Sequence, residues 1–147
     1  MRVRQRGFVL IAMSVSMVLL LAFVGLALDF GRIYIARNET QLFTDAAAMA
    51  AASKLDGSAG SLDAAHAAVD RLPNRWNLGS KKFTGVVVEF SADGRQWEAT
   101  PDAARLARVT APANDVDILF LRAVGGPEKF TVPARSVAAA GPVRLIQ

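Results

Sequence analysis

His66 is the only histidine in the 147-residue chain and the first candidate for acid–base chemistry. It stands among alanines, in Ala64-Ala65-His66-Ala67-Ala68, with no nucleophile or carboxylate pattern around it. The sequence therefore reads it as a surface or half-buried side chain, not a catalytic base. There are no cysteines, so thiol nucleophiles, disulfides and thiolate metal sites are excluded. No G-x-S-x-G, G-x-x-x-x-G-K-[ST], G-x-G-x-x-G or H-E-x-x-H pattern occurs. Asn114, Asp115 and Asp117 offer three oxygen donors close together, as a Ca²⁺ site would. The central glycine and closing glutamate of a calcium loop are missing, and a helix N-cap at Asp115 accounts for these residues better. Trp76 and Trp97 read as core or interface residues. No catalytic residue, cofactor or metal site is expected, and the chain reads as a non-enzyme.

What remains is partition between solvents. Phe8 to Leu28 carries no charge. As a helix at about 1.5 Å per residue it spans about 32 Å, close to the ~30 Å hydrocarbon core of a bilayer. Arg2, Arg4 and Arg6 precede it, and residues 1–7 contain no acid. They account for most of the net charge of +4, so the basicity is a topology signal and not a nucleic-acid surface. Arginines on that side place the N-terminus in the cytoplasm and everything after Leu28 outside.

Three fates of this segment are compatible with the sequence. It can stay as a transmembrane anchor. It can be cut after Gly7, leaving Phe8 as a pilin-type N-terminus, although type IV pilins carry a glutamate where this chain has Ala12. It can also be a secretory signal removed at the small-residue site Gly25-Leu26-Ala27, which would make residues beyond it a secreted or periplasmic binding module.

The helical pattern does not stop at the membrane. No proline occurs before Pro73, and Ile35, Leu42, Ala46, Met49 and Ser53 continue the spacing. One helix is predicted from Phe8 to Leu55, ended by Gly57. Asp29 and Arg32, on one face just past the apolar run, suit an ion pair at the membrane exit, with Asp29 also a candidate contact for a partner subunit. Ala27 and Gly31 have the small-xxx-small spacing of close helix packing, and Tyr34 suits an interfacial position. The alanine run Ala46 to Ala52 makes a thin helix surface. Phe8, Ala12, Ser16, Ala27, Asp29, Gly31, Arg32, Tyr34, Ala46, Met49 and Ala50 are the residues assigned to anchoring and subunit packing.

Further on, Ser61 is placed as the cap of a second helix with Leu62, Ala65, Val69 and Leu72 on one face, ended by Pro73. Phe83 to Phe90 reads as a strand, Asp93-Gly94 as a hairpin turn, and a return strand includes Trp97. Leu106 to Ala111 is a third strand. A short helix is expected from Asp115, with Val116, Leu119, Phe120 and Ala123 on one face. Phe130 to Ala139 is a last strand, bent or at an edge because of Pro133. The fold class is α+β: a long N-terminal helix, half transmembrane and half extracytoplasmic, with a small antiparallel sheet, as in pilins. The segments are a basic leader 1–7, a span 8–28, a helix continuation 29–56 and a small domain 57–147.

Residues 6–56 resemble the N-terminal segment of TadE/TadG-like proteins of the Flp (Tad) pilus-assembly system. The resemblance lies in Arg6-Gly7 before the apolar helix, in Gly25-Leu26-Ala27-Leu28-Asp29-Phe30-Gly31-Arg32 with Tyr34, and in Thr44-Asp45-Ala46-Ala47-Ala48 within the Gln41 to Ala52 run. It implies a single-pass bacterial inner-membrane protein with a periplasmic C-terminal domain, or an extracellular one within a pilus. Its partners would be the membrane and other pilus or secretion subunits, in a homo- or hetero-oligomer or filament, without nucleic acid. TadG-type members often continue into a large von Willebrand A-like domain for which this sequence has no room, so a minor-pilin, pseudopilin-like or assembly role is implied over an adhesin-like one. The mass of the mature N-terminus separates the three fates: Met1 is expected for an anchor, Phe8 for pilin-type processing and Leu28 for a secreted module.

Overall fold

The structure is a computed structural model that describes residues 6–112 and 114–141. One helix, α1, runs from Arg6 to Ala52. Its last turn tightens, with the Lys54 N–H donating to Ala51 O and the Leu55 N–H to Ala52 O, each three residues back. The chain then turns at Gly57, whose φ of +83° is costly for any residue with a Cβ. The helix thus ends three residues before the predicted Leu55.

Helix α2 spans Ser61–Asp70. Gly60 is its N-cap, and Ser61, predicted as the cap, is the first helical residue with its side chain buried. Three strands, β1 (Val87–Ser91), β2 (Leu106–Ala111) and β5 (Ala134–Ala139), form an antiparallel sheet in the order β1-β2-β5. Two short strands, β3 (Asp115–Asp117) and β4 (Lys129–Thr131), pair separately. The class is α+β, a long N-terminal helix with a small antiparallel sheet.

Further expectations change, and the strand predicted from Phe83 begins only at Val87. No strand includes Trp97: β1 pairs instead with β2, and Trp97 lies in the intervening loop with the Arg108 guanidinium 4.0 Å from its ring centre. The helix expected at Asp115 is strand β3, followed by a 3₁₀ turn at Leu121–Val124. The alternation of Asp115 and Asp117 with buried Val116 and Ile118 satisfies a strand period that a helical reading overlooks. The final strand is two, β4 and β5, broken at Val132-Pro133, where proline removes a ladder donor.

The core forms where α1 lies on the sheet. One cluster joins Ala47, Ala48, Ala51, Ala52 and Leu55 of the α1 end to Ala65 and Val69 of α2, and to Phe90, Ala107 and Val109. A second joins Ala36 and Phe43 to Trp76, Phe83, Ala111, Val116 and Val132. Phe43 stacks on Phe83 at 4.2 Å and Trp76 on Phe83 at 5.7 Å between ring centres. Alanines on α1 bring the helix axis close to the sheet; the aromatics fill the wider end.

On the outer sheet face Glu89 and Arg108 stand directly opposite each other and pair through two 2.7 Å bonds. The Arg108 hydrogen bonds hold the Glu89 carboxyl below its ordinary value. A depressed pKa contributes stability above the unfolded value of about 4.3, and that contribution is lost as pH falls through the lower folded value. Glu89→Gln is therefore expected to lower the urea midpoint at pH 7 and to narrow the difference between pH 7 and pH 3 relative to the parent chain.

Candidate functional site

Between Gly7 and Val24 every α1 side chain is exposed, although most are Leu, Val, Met, Phe or Ile. Among the described residues α1 is the one helix long and apolar enough to cross a membrane. Burial begins at Gly25 and Asp29, so the apolar rod passes directly into the folded part without a linker.

Asp29 makes that junction. It is only 3 % exposed, and its carboxylate accepts three backbone N–H groups: Leu119 at 3.0 Å, Phe120 at 2.8 Å and Leu121 at 2.7 Å. These lead into the 3₁₀ turn, so Asp29 supplies the acceptor that such a start lacks. One turn earlier, Phe120 lies against Gly25: a Cβ there would be 2.6 Å from the Phe120 ring. The glycine is required by this close approach. The expected Asp29–Arg32 pair is replaced by these bonds. The ion pairs among the described residues are Lys81–Asp117, Arg108–Glu89 and Arg122–Glu128, and the Arg32 Nη1 is buried without a partner. Asp29 thus faces its own domain.

Two further α1 carboxylates hold the domain. Glu39 accepts the N–H groups of Asn77 and Leu78, whose φ values of 53° and 57° are left-handed. Consecutive left-handed residues point their N–H groups to one side, and a carboxylate there offsets part of the backbone cost. Asp45 accepts the Ser136 hydroxyl of β5, beside a 2.8 Å contact between the Thr44 and Ser136 hydroxyls. Gln41 donates to both Asp45 at 2.9 Å and Ser136 at 3.0 Å.

The other face of α1 is largely open among the described residues. Leu28, Ile35, Leu42 and Met49, spaced by seven residues, are all exposed, Leu42 by 71 % and Met49 by 61 %. A seven-residue spacing keeps side chains along one side of a helix. Leu42 and Ala46 also line a groove of about 240 Å³ with Glu39, Phe43, Leu72, Pro73 and Arg75. Of the predicted packing residues, Phe8, Ala12, Ser16, Ala27, Gly31, Tyr34 and Met49 are exposed, and Arg32, Ala46 and Ala50 are half-buried. The alanine run is divided: Ala47, Ala48, Ala51 and Ala52 are spent on the core, while Ala46, Met49 and Ala50 border the open side. Gly7 begins the exposed rod; Arg6 opens α1, and Arg2 and Arg4 lie outside the described residues.

The chemistry-bearing residues do not converge. His66 is exposed and packs edge-on to Phe90 at 5.3 Å. Asp117 pairs with Lys81 at 3.0 Å, and Asp115 accepts the Thr131 hydroxyl at 2.8 Å. Among the described residues there is no cluster of three His, Cys, Asp or Glu side chains placed to hold a metal. Sequence reasoning missed Gly25, Glu39 and the Leu119–Leu121 loop. Their contacts bridge about 40 to 90 residues, and no local pattern marks them. Ile35, Leu42 and Met49 were already part of the helical spacing read from the sequence; that they stand exposed in line with Leu28 appears only in the structure.

Residues 7–54 match the family model described as putative Flp pilus-assembly TadE/G-like. The match covers α1 from Gly7 onward and the two residues after it, about a third of the chain, and none of the sheet. No curated protein and no solved structure matches the chain.

Removing the Asp29 carboxylate strands three backbone donors, and one buried unsatisfied polar group costs about 1–3 kcal/mol. In Asp29→Ala, hydrogen exchange at the Leu119, Phe120 and Leu121 amides should rise sharply, while the amides of β2 stay protected.

Proposed function

We propose that the protein is a membrane-anchored structural subunit of a Flp/Tad-type pilus or a related secretion machine, acting as a minor pilin, pseudopilin or assembly factor. Its N-terminal segment is of the Tad pilus-assembly type, which supports involvement in that system. The observation that carries the finer reading is the exposed stripe Leu28, Ile35, Leu42 and Met49, which continues the apolar rod into the folded region. A helix that needed only to anchor a domain would have no use for apolar residues repeating at seven-residue spacing beyond the membrane. A neighbouring helix packed along that side would cover them.

In this reading residues 1–7 lie in the cytoplasm, 8–28 span the inner membrane, and 29–56 and 57–147 stand in the periplasm or, after assembly, in an extracellular filament. The action is mechanical. The apolar half holds the subunit in the bilayer, and the stripe selects its neighbours. No catalytic step is assigned to any residue.

The alternative, a module released by cleavage after Ala27, fits the contacts less well. Cleavage there removes Gly25 from Phe120 and leaves Asp29 in a first turn that frays. Cleavage after Gly7 disturbs neither.

Leu42→Lys combined with Met49→Lys tests the packing role. Both side chains are exposed, so stability should change by no more than about 0.5 kcal/mol per site. Membrane fractionation should be retained, and co-purification with other pilus subunits should be lost. Unchanged pilus assembly by this variant would contradict the proposal. So would full assembly by a chain lacking residues 8–28 but exported by another signal.

A further inference from the structure

The Leu119–Leu121 loop lies beside the end of the apolar rod. Phe120 packs against Gly25, and Gly25 is inside the uncharged run Phe8 to Leu28. At about 1.5 Å per residue, Gly25 is only about 4–5 Å below the end of that run. The run itself is about as long as the hydrocarbon core is thick. A bilayer that covers Leu21, Val24 and Leu28 therefore reaches Phe120. The loop is suited to those surroundings: although Phe120 packs in part on Gly25, Leu119 is still 58 % exposed and Phe120 45 % exposed.

The backbone of the loop is suited to it as well. Peptide N–H groups near hydrocarbon must find acceptors within the protein, because water is scarce there. Asp29 accepts all three N–H groups of Leu119, Phe120 and Leu121. One carboxylate thereby removes the donors that would otherwise keep the loop in water.

Resting on the membrane-spanning reading of residues 8–28, we infer that the Leu119–Phe120 loop is a second membrane contact, seated in the interfacial layer of the bilayer that holds α1. The domain is then held against the membrane at two points, the helix exit and this loop, with Asp29 joining them. The seat restricts the tilt of the joined helix and domain against the membrane plane, which a single span leaves free.

The absence of cysteine from the sequence makes a site-directed spin label direct. Leu119→Cys, Leu19→Cys and Glu98→Cys would each be labelled in the full chain reconstituted into phosphatidylcholine–phosphatidylglycerol vesicles. Collision rates with oxygen, which concentrates in lipid, and with a water-soluble nickel chelate would be compared. Position 19 reports the middle of the span and position 98 an exposed site on the domain. The expected result is an oxygen-to-nickel ratio at 119 several-fold above that at 98 and below that at 19. A ratio at 119 equal to that at 98, with 19 in lipid, overturns the loop inference alone. A water-exposed label at 19 overturns the spanning reading itself. A label at 119 shielded from both probes would show protein, not lipid, on the loop and would also overturn the inference.

Discussion

Everything in this structure depends on how one continuous helix is joined to a small domain, and Asp29 is the joint. Its carboxylate closes the backbone donors of a loop 90 residues away in sequence, directly above the last turn of an apolar rod. A flexible linker would let the domain tumble. Here the rod and the domain share one rigid element, so the direction of the rod is fixed relative to the sheet. The close approach of Phe120 to Gly25 adds a second constraint on the same turn.

The rest of the helix uses its two sides differently. Inward, alanines let α1 settle on β2 and β5, and Glu39 and Asp45 tie it to an unusual left-handed turn and to Ser136. Carboxylates work in this role because each can accept several donors at once. Outward, larger apolar residues recur at seven-residue spacing and stand exposed. The helix is therefore apolar on nearly every side in its first half, and in its second half divided between a core face and an open face. That division agrees with a subunit that is first held by lipid and then by other helices.

Most of the helix was legible in the sequence, because its period runs unbroken from Phe8 and no proline interrupts it. Strand β2 was legible too, since Ala107, Val109 and Ala111 alternate with Arg108 and Thr110. The Asp115 region was not. A short apolar stretch with acidic residues fits both a capped helix and an alternating strand, and pairing with Lys129–Thr131 decides it. The role of Trp97 also escaped, because its ring is placed by Arg108 across the sheet and not by its own segment. Among the site residues, Asp29 stood out by position but not by partner. Its bonds to Leu119–Leu121 exist only once the chain has folded back on α1.

The central claim is that α1 presents one side to its own domain and the opposite side to neighbouring subunits. Photo-crosslinking residues placed singly from Leu28 to Ala50, in cells that assemble the machine, measure this most directly. The account predicts crosslinks to other subunits that peak at positions 28, 35, 42 and 49 and fall away at the buried positions Ala36, Thr40 and Ala47. Crosslinks without helical period, or none at the four exposed positions, would contradict it.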